Sequence, residues 1–307
     1  MQLGFVGWGR MGANMVKRIL ERSDHQVVVY VRRPDLVEEI RQTGAIGVNS
    51  LPELAEALQP PRAIWVMVPA GEPTDQNLRA LADLVKPGDL LVDGGNSFYK
   101  DDLRRAKELG ARGIEYMDIG TSGGIWGRQI GYCIMAGGSD DAFARIEPIL
   151  RVLAPEGGYA HVGPVGAGHF SKMVHNGIEY GMMQAYAEGF AILEKSPFQY
   201  DLRKLCDLWN RGSVVRSWLL ELAANAFAED PHLDRVAGYV EDTGEGRWTV
   251  ETAIEQRVPA PVIAEALFAR YRSRVPESFG DKVLAVLRKQ FGGHAVRIAE
   301  PSSGAQE

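Results

Sequence analysis

The sequence predicts a doubly wound α/β domain followed by an all-helical domain, and three observations carry that prediction. Strand-length apolar runs alternate with helical stretches through the first half. Glycine and proline punctuate the joints between them. Beyond residue 163 the β-branched runs thin out and helical spacing takes over. The strand-like runs lie at residues 3–6, 27–31, 63–68, 90–92, 116–119 and 132–135. Val, Ile and Leu in unbroken runs belong to strands buried on both faces, as in a parallel sheet covered by helices. Helical stretches at 11–20, 34–42, 51–58, 74–84 and 101–109 separate several of them, which is the alternation of a βαβ chain. Pro87-Gly88, Gly94-Gly95, Gly123-Gly124 and Gly137-Gly138 mark turns. Residues 1–163 are therefore expected to form one α/β domain and 164–307 a helical one, joined through Gly163-Pro164-Val165-Gly166. In the second domain a long proline-free helix is expected at 167–195, with others at 201–209, 214–228, 262–272 and 281–290. The 181–195 half of the long helix has few charges, so it is expected to be buried between helices or against a second subunit.

Composition excludes several functions. The 307 residues carry 34 Lys+Arg against 40 Asp+Glu, a formal charge of −6. That balance argues against a nucleic-acid partner, which calls for a basic surface. An anionic ligand would need a local basic cluster to overcome the overall field. Two cysteines, Cys133 and Cys206, cannot build a disulfide framework and suit a reducing, cytoplasmic setting. The longest apolar run, 63–68, is far short of the roughly 20 residues that span a bilayer. A strand-like segment begins at Gln2, so no signal peptide is expected.

Gly7-Trp8-Gly9-Arg10-Met11-Gly12 fits the G-x-G-x-x-G pattern between the first strand and the first helix. Gly7 permits a tight turn, Gly9 lets backbone approach a pyrophosphate, and Gly12 lets helix and strand pack closely. The start of the helix, at Arg10 and Met11, then offers N–H groups and a positive dipole end to phosphate. The α/β domain thus reads as a dinucleotide-binding Rossmann domain. The second strand ends Val31-Arg32-Arg33. An acid there serves the ribose hydroxyls of NAD, whereas arginine serves the 2′-phosphate of NADP. Val31 stands in the acid's place with Arg32 and Arg33 behind it, so NADP is favoured over NAD; a solvated arginine pair is the plainer alternative.

Lys172, His175, Asn176, Glu179 and Tyr180 recur at i, i+3, i+4, i+7 and i+8 of the long helix, which places all five on one face. Met173, Val174, Gly177 and Ile178 between them are apolar or small, so the other side is expected to pack inward. Lys172 and Glu179 lie two turns apart, roughly 10 Å along the axis. A partly buried lysine with a lowered pKa accepts a proton at neutral pH, and Glu179 is placed to donate one. The six histidines form no His-Glu-x-x-His group and the cysteines no Cys-x-x-Cys, so no metal is expected.

Six motifs in order resemble 6-phosphogluconate dehydrogenase (decarboxylating) in its short-chain form, within the β-hydroxyacid dehydrogenase superfamily. They are the Gly7–Gly12 loop, Met67-Val68-Pro69-Ala70-Gly71, Asp93-Gly94-Gly95-Asn96-Ser97, Thr121-Ser122-Gly123-Gly124, the Lys172–Tyr180 stripe and Phe291-Gly292-Gly293-His294. The resemblance covers nearly the whole chain and implies roles position by position. Val68, Pro69 and Ala70 would border the nicotinamide, and Asn96 would touch cofactor and substrate. Ser122, Gly123 and Gly124 would hold the substrate carboxylate. Lys172 matches the general base and Glu179 the general acid; His175 and Asn176 would bind substrate hydroxyls. Tyr180 and Arg270 would bind the phosphate of a small phosphorylated sugar acid. Arg288 and His294 match tail residues that reach a neighbouring subunit's site, which implies a homodimer or homotetramer.

One segment departs from the pattern. Larger members carry Lys-Gly-Thr-Gly-Lys-Trp-Thr, whose first lysine helps bind phosphate. Here Thr243 stands in that lysine's place, within Asp242-Thr243-Gly244-Glu245-Gly246-Arg247-Trp248-Thr249. Other readings are a hydroxyisobutyrate or tartronate semialdehyde dehydrogenase, or a non-catalytic NADP-binding protein. The former generally lack the Glu179-Tyr180 pair, and the latter typically lose the lysine.

Overall fold

The computed structural model describes residues 1–292, 295 and 297. Among them are eight strands: β1 (Gln2–Val6), β2 (Gln26–Tyr30), β3 (Ile46–Val48), β4 (Ala63–Val66), β5 (Leu90–Asp93), β6 (Glu115–Ser122), β7 (Cys133–Gly137) and β8 (Tyr159–Gly163). Helices α1 (Arg10–Arg22), α2 (Leu36–Gln42), α3 (Leu51–Glu56), α4 (Glu72–Ala82), α5 (Tyr99–Gly110), α6 (Gly127–Ile130) and α7 (Asp140–Leu153) interrupt them. Then follow α8 (Ala167–Glu194), α9 (Leu202–Trp209), α10 (Trp218–Glu229), α11 (Glu245–Gln256), α12 (Pro261–Arg272) and α13 (Phe279–Gly292). The architecture is a doubly wound Rossmann sheet followed by helices, as the sequence predicts.

The sheet runs β3-β2-β1-β4-β5-β6-β7-β8. The apolar runs divide between its faces by strand alternation. Ala63 and Trp65 of β4 face a core with Leu3, Phe5, Met15, Ile19 and Ile146, while Ile64 and Val66 face another with Val28, Leu78, Leu81 and Leu109. Each fully buried side chain of this kind stabilises by about 1.5–3 kcal/mol, so a charge at Ile64 or Trp65 would break the layer. Strand order reverses between β1 and β4, and a crevice opens there beyond the carboxyl ends of the strands.

The sheet is not parallel throughout, because β7 pairs antiparallel with β6. Only residues 123–132 connect them, and a parallel return needs a crossover of about a dozen residues or more. Strand β8 then pairs parallel with β7. Beyond the elements expected from the sequence, the chain forms β3, β8, α6, α7 and α11. Helix α7 starts on Ser139, whose hydroxyl accepts from the Ala142 N–H, and it carries Pro148 inside.

The chain forms two compact units that part within α8: Met1–Glu179 with Gly244–Pro259, and Tyr180–Thr243 with the described residues from Ala260 onward. The second has its own core, Leu202 and Cys206 of α9 against Leu220, Ala224 and Phe227 of α10. Among the described residues no helix is long and apolar enough to cross a membrane.

Candidate functional site

The glycine loop leads directly from β1 into α1. Gly7 takes φ 110°, and a Cβ there would lie 2.3 Å from the Met67 carbonyl oxygen. A Cβ at Gly12 would lie 2.7 Å from the Gly7 oxygen. The protein's own packing demands both glycines. Among the described residues no atom demands Gly9: a Cβ there would meet nothing within 4 Å. Its bare backbone leaves the start of α1, which has no side-chain cap, open to a pyrophosphate, so the loop fits a dinucleotide. Arg10 is exposed at this start, while Met11 packs its side chain against the core. A cleft of about 500 Å³ lies over the loop, lined by Gly7, Gly9, Arg32, Arg33, Val68 and Pro69 among others. Ala70 follows them in the loop between β4 and α4, half-buried. Arg33 is ion-paired with Asp35, whereas Arg32 has no ion pair among the described residues.

Beneath the next loop lies a buried polar network. Asp93 accepts from the Gly95 N–H at 2.9 Å, from Ser97 Oγ at 2.6 Å and from Arg105 Nη1 at 2.8 Å. This fixes the turn that presents Asn96, which is exposed. Burial opposes the charge of Arg105, yet Tyr116, Asp93 and Asp75 raise its pKa. Asp118 on β6 accepts from the N–H groups of Gly166 and His169 at 2.6 and 2.8 Å, anchoring the start of α8. His169, 1% exposed, lies 2.8 Å from Asp102 Oδ2 through Nδ1 and 3.1 Å from the Gly95 carbonyl through Nε2. Both partners are acceptors, so both ring nitrogens carry hydrogen and the ring is an imidazolium. Burial works against that charge, but Asp102, Asp93 and Asp118 outweigh it and push the pKa up to about 10. Asp102, raised to about 6 by burial, also accepts from Tyr116 Oη at 2.7 Å. Asp93, Asp102 and His169 converge as metal ligands do, but their oxygens and nitrogens already serve Arg105, Ser97, Tyr116 and Gly95.

Lys172 stands one turn further along α8, 8% exposed. Its Nζ donates to Asn176 Oδ1 at 2.6 Å and lies 3.3 Å from His175 Nδ1. His175 Nδ1 is 3.9 Å from Glu179 Oε2. Lysine, imidazole, amide and carboxylate therefore do share one face. On the other side Met173 and Gly177 are buried, whereas Ile178 is exposed rather than packed. Gly120 of β6 makes room for the lysine, since a Cβ there would lie 2.4 Å from Lys172 Cβ. Ser122, two residues on, ends β6, and Gly123 at φ 129° opens the turn to Gly124. Burial lowers the Lys172 pKa, against the pull of Glu179, Glu245 and Cys133. A buried amine so poised can take up a proton near neutral pH.

Comparison with known proteins agrees with this geometry. Residues 2–163 match the NAD binding domain of 6-phosphogluconate dehydrogenase, and residues 168–291 match the 6-phosphogluconate dehydrogenase C-terminal domain. The chain belongs to the 6-phosphogluconate dehydrogenase family. It is 47% identical over 295 residues to Bacillus subtilis YqeC, which carries the family's name provisionally, covering 96% of this chain and 99% of that one. It is 40% identical over 299 residues to the NAD(+)-dependent, decarboxylating 6-phosphogluconate dehydrogenase of Haloferax volcanii, covering 96% and 98%. Among solved structures, the Plasmodium falciparum 6-phosphogluconate dehydrogenase, studied with NADP+ and with 6-phosphogluconate, superposes with a TM-score of 0.82 at 30% identity. That match covers 99% of this chain and 67% of the other.

Tyr180 and Arg270 meet within the second unit, the Arg270 guanidinium 3.4 Å over the ring; Tyr180 is buried with no partner for its hydroxyl among the described residues, and Arg270 also donates to the Glu241 carbonyl at 3.0 Å. Arg288 is exposed on α13. His294 lies outside the described residues. Spacing alone does not single out Glu245, which stands at the threonine position of the larger members' Lys-Gly-Thr-Gly-Lys-Trp-Thr segment. It is buried and accepts from Asn96 Nδ2. An acid opening a helix directly after Gly244 was the available signal.

Proposed function

We propose that this protein catalyses the oxidative decarboxylation of 6-phospho-D-gluconate to D-ribulose 5-phosphate and CO2, with NADP preferred over NAD. The observation that carries the proposal is Lys172: a buried amine of lowered pKa, hydrogen-bonded to Asn176, in a chain whose glycine loop fits a dinucleotide. Lys172 takes the proton of the C3 hydroxyl. The nicotinamide supplies the hydride acceptor when bound. Lys172, now an ammonium, stabilises the enolate oxygen that develops as the β-keto acid loses CO2. Glu179 then protonates C1 of the enediol.

The other roles follow the family. Asn96 touches both coenzyme and substrate; Ser122, Gly123 and Gly124 hold the carboxylate end; His175 and Asn176 hold hydroxyls. Tyr180 and Arg270 take the phosphate, supported by the buried Tyr180 hydroxyl, without a partner among the described residues, beside a guanidinium. Residues 1–163 serve the coenzyme, and 164–307 serve substrate and subunit contact. Arg288 and His294 of one subunit complete the site of another in a homodimer or homotetramer. Support for that assembly comes from α13, where Phe279, Val283, Leu284, Val286 and Leu287 are all exposed.

The test is Lys172→Met assayed with 6-phosphogluconate. Loss of a general base costs about 10²–10⁴-fold in rate, so turnover should fall at least a hundredfold at unchanged coenzyme binding. Near-wild-type turnover would sink the assignment.

A further inference from the structure

We propose that Glu245 is a positioning residue of this site, whose buried carboxylate fixes the amide of Asn96 and sets negative charge beside the amine of Lys172. The proposal rests on the reading of Lys172 as the proton acceptor.

The position of Glu245 is built by three fixings. Gly244 takes φ 110°, a conformation that favours glycine, and turns the chain abruptly into α11. Thr249 Oγ1 then donates to the Met173 carbonyl at 2.8 Å, tying α11 to α8. Gly177 permits this approach, because a Cβ there would lie 2.6 Å from Thr249 Cγ2. On its other flank α11 is held to the residues after β5. Trp248 stacks on Phe98 at 5.2 Å, and Lys100 pairs with Glu255 at 2.6 Å. Helix α11 therefore bridges the loop carrying Asn96 and the helix carrying Lys172, and Glu245 stands at its first position, 4% exposed.

The chemistry of the contact decides what Glu245 does. An ionised carboxylate accepts and cannot donate, so Asn96 must turn its NH2 toward Glu245 and present Oδ1 on the opposite side. Asn96 is otherwise an exposed side chain, free to flip. The groups that act electrostatically on Lys172 are Glu179 on its own helix, Glu245 on α11 and Cys133 on β7. His175 faces it from α8 at 3.3 Å; β6 brings Gly120 against the lysine's stem and, two residues earlier, Asp118, whose carboxylate accepts from the N–H groups of Gly166 and His169 at the start of α8. Burial lowers the amine's pKa, and Glu179 and Glu245 counter it. With Glu245 made neutral, burial is opposed by one acid fewer. The amine then gives up its proton at lower pH.

The experiment is the pH profile of kcat/KM for 6-phosphogluconate in the purified full-length enzyme. In E245Q the acid limb should move down by about one pH unit, the scale of a lost neighbouring charge. E245D keeps the charge, so its limb should stay at the wild-type pH. Its carboxylate stands one methylene further from Asn96, so its KM should rise several-fold. A folded E245Q whose limb does not move, or an E245D whose limb moves as far as that of E245Q, overturns the proposal. Should E245Q fail to fold, E245T reads the same limb. K172M is measured alongside: retained turnover there refutes the reading of Lys172 itself, whereas an inactive K172M with an unmoved limb in E245Q refutes only the role of Glu245.

Discussion

The two units place their apolar residues differently. In the α/β unit, Leu3, Phe5, Ile64, Trp65 and Leu91 are sealed between sheet and helices. In the helical unit the fully buried cluster is five residues, while Ile192, Phe279 and Leu284 remain 72%, 79% and 61% exposed. Isolated exposed apolar residues are ordinary, but a whole helical face of them is a surface made for contact. The first unit seals its apolar side chains within itself; for the exposed face of the second, a second copy of this chain is the proposed occupant. The long helix shows the change along its own length. Residues 167–180 are largely buried or half-buried, whereas those from 182 onward are largely exposed or half-buried.

The strongest way to break this contrast is to attack the interior of the α/β unit. His169→Leu would leave Asp102 buried opposite an apolar side chain, and removing one partner of a buried pair costs about 3–5 kcal/mol. Urea unfolding should show that loss independently of protein concentration. The same pair predicts a pH dependence. The pKa of His169 is raised in the folded state to about 10, against about 6.5 for a free imidazole. Its stabilisation is therefore complete below about pH 6.5 and is lost as pH rises through about 10. The wild-type Tm should fall on that alkaline limb and that of His169→Leu should not fall in the same way. A concentration-dependent loss would mean that this unit, too, leans on a partner.

The middle-sized effect belongs to α13. Leu284→Glu removes no buried contact within the chain, so a monomer should lose almost nothing. If the face is covered by a second copy, the loss is the burial of a leucine, about 1.5–3 kcal/mol of association, and sedimentation should show a shift to smaller species at micromolar protein. Unchanged mass in Leu284→Glu and in a Leu287→Glu companion would remove α13 from the interface.

The sequence made most of the α/β unit legible because burial there follows strand alternation and glycine placement. The loop at Gly7–Gly12 and the stripe from Lys172 to Glu179 could both be read from spacing alone. What could not be read was anything fixed by contacts distant in sequence. Helix α11 mixes Thr, Val and Gly into EGRWTVETAIEQ, and its place depends on Thr249 reaching Met173. Glu245 gained meaning only through Asn96, 149 residues away. His169 carries no mark in its own sequence neighbourhood; its raised pKa comes from Asp102, Asp93 and Asp118, which no local pattern connects to it. The antiparallel β7 was hidden for a different reason, since direction follows from the length of the connection rather than from the strand's own residues.

The smallest effect concerns the coenzyme and separates two adjacent arginines. Arg33 is engaged by Asp35, so its guanidinium would have to leave a carboxylate to meet a 2′-phosphate, and the exchange gains little. Arg32 lines the same cleft without that partner and is the better phosphate ligand. A hydrogen bond to a charged group is worth about 1.5–3 kcal/mol, and solvent at this exposed rim reduces it toward about 1 kcal/mol. Arg32→Ala should therefore raise KM for NADP about fivefold and leave KM for NAD within twofold, while Arg33→Ala should change either less. Initial rates with the two coenzymes check this directly. Equal effects on NAD and NADP would show that Arg32 meets no 2′-phosphate, and the preference would pass to NAD, the coenzyme in the name of the Haloferax volcanii relative.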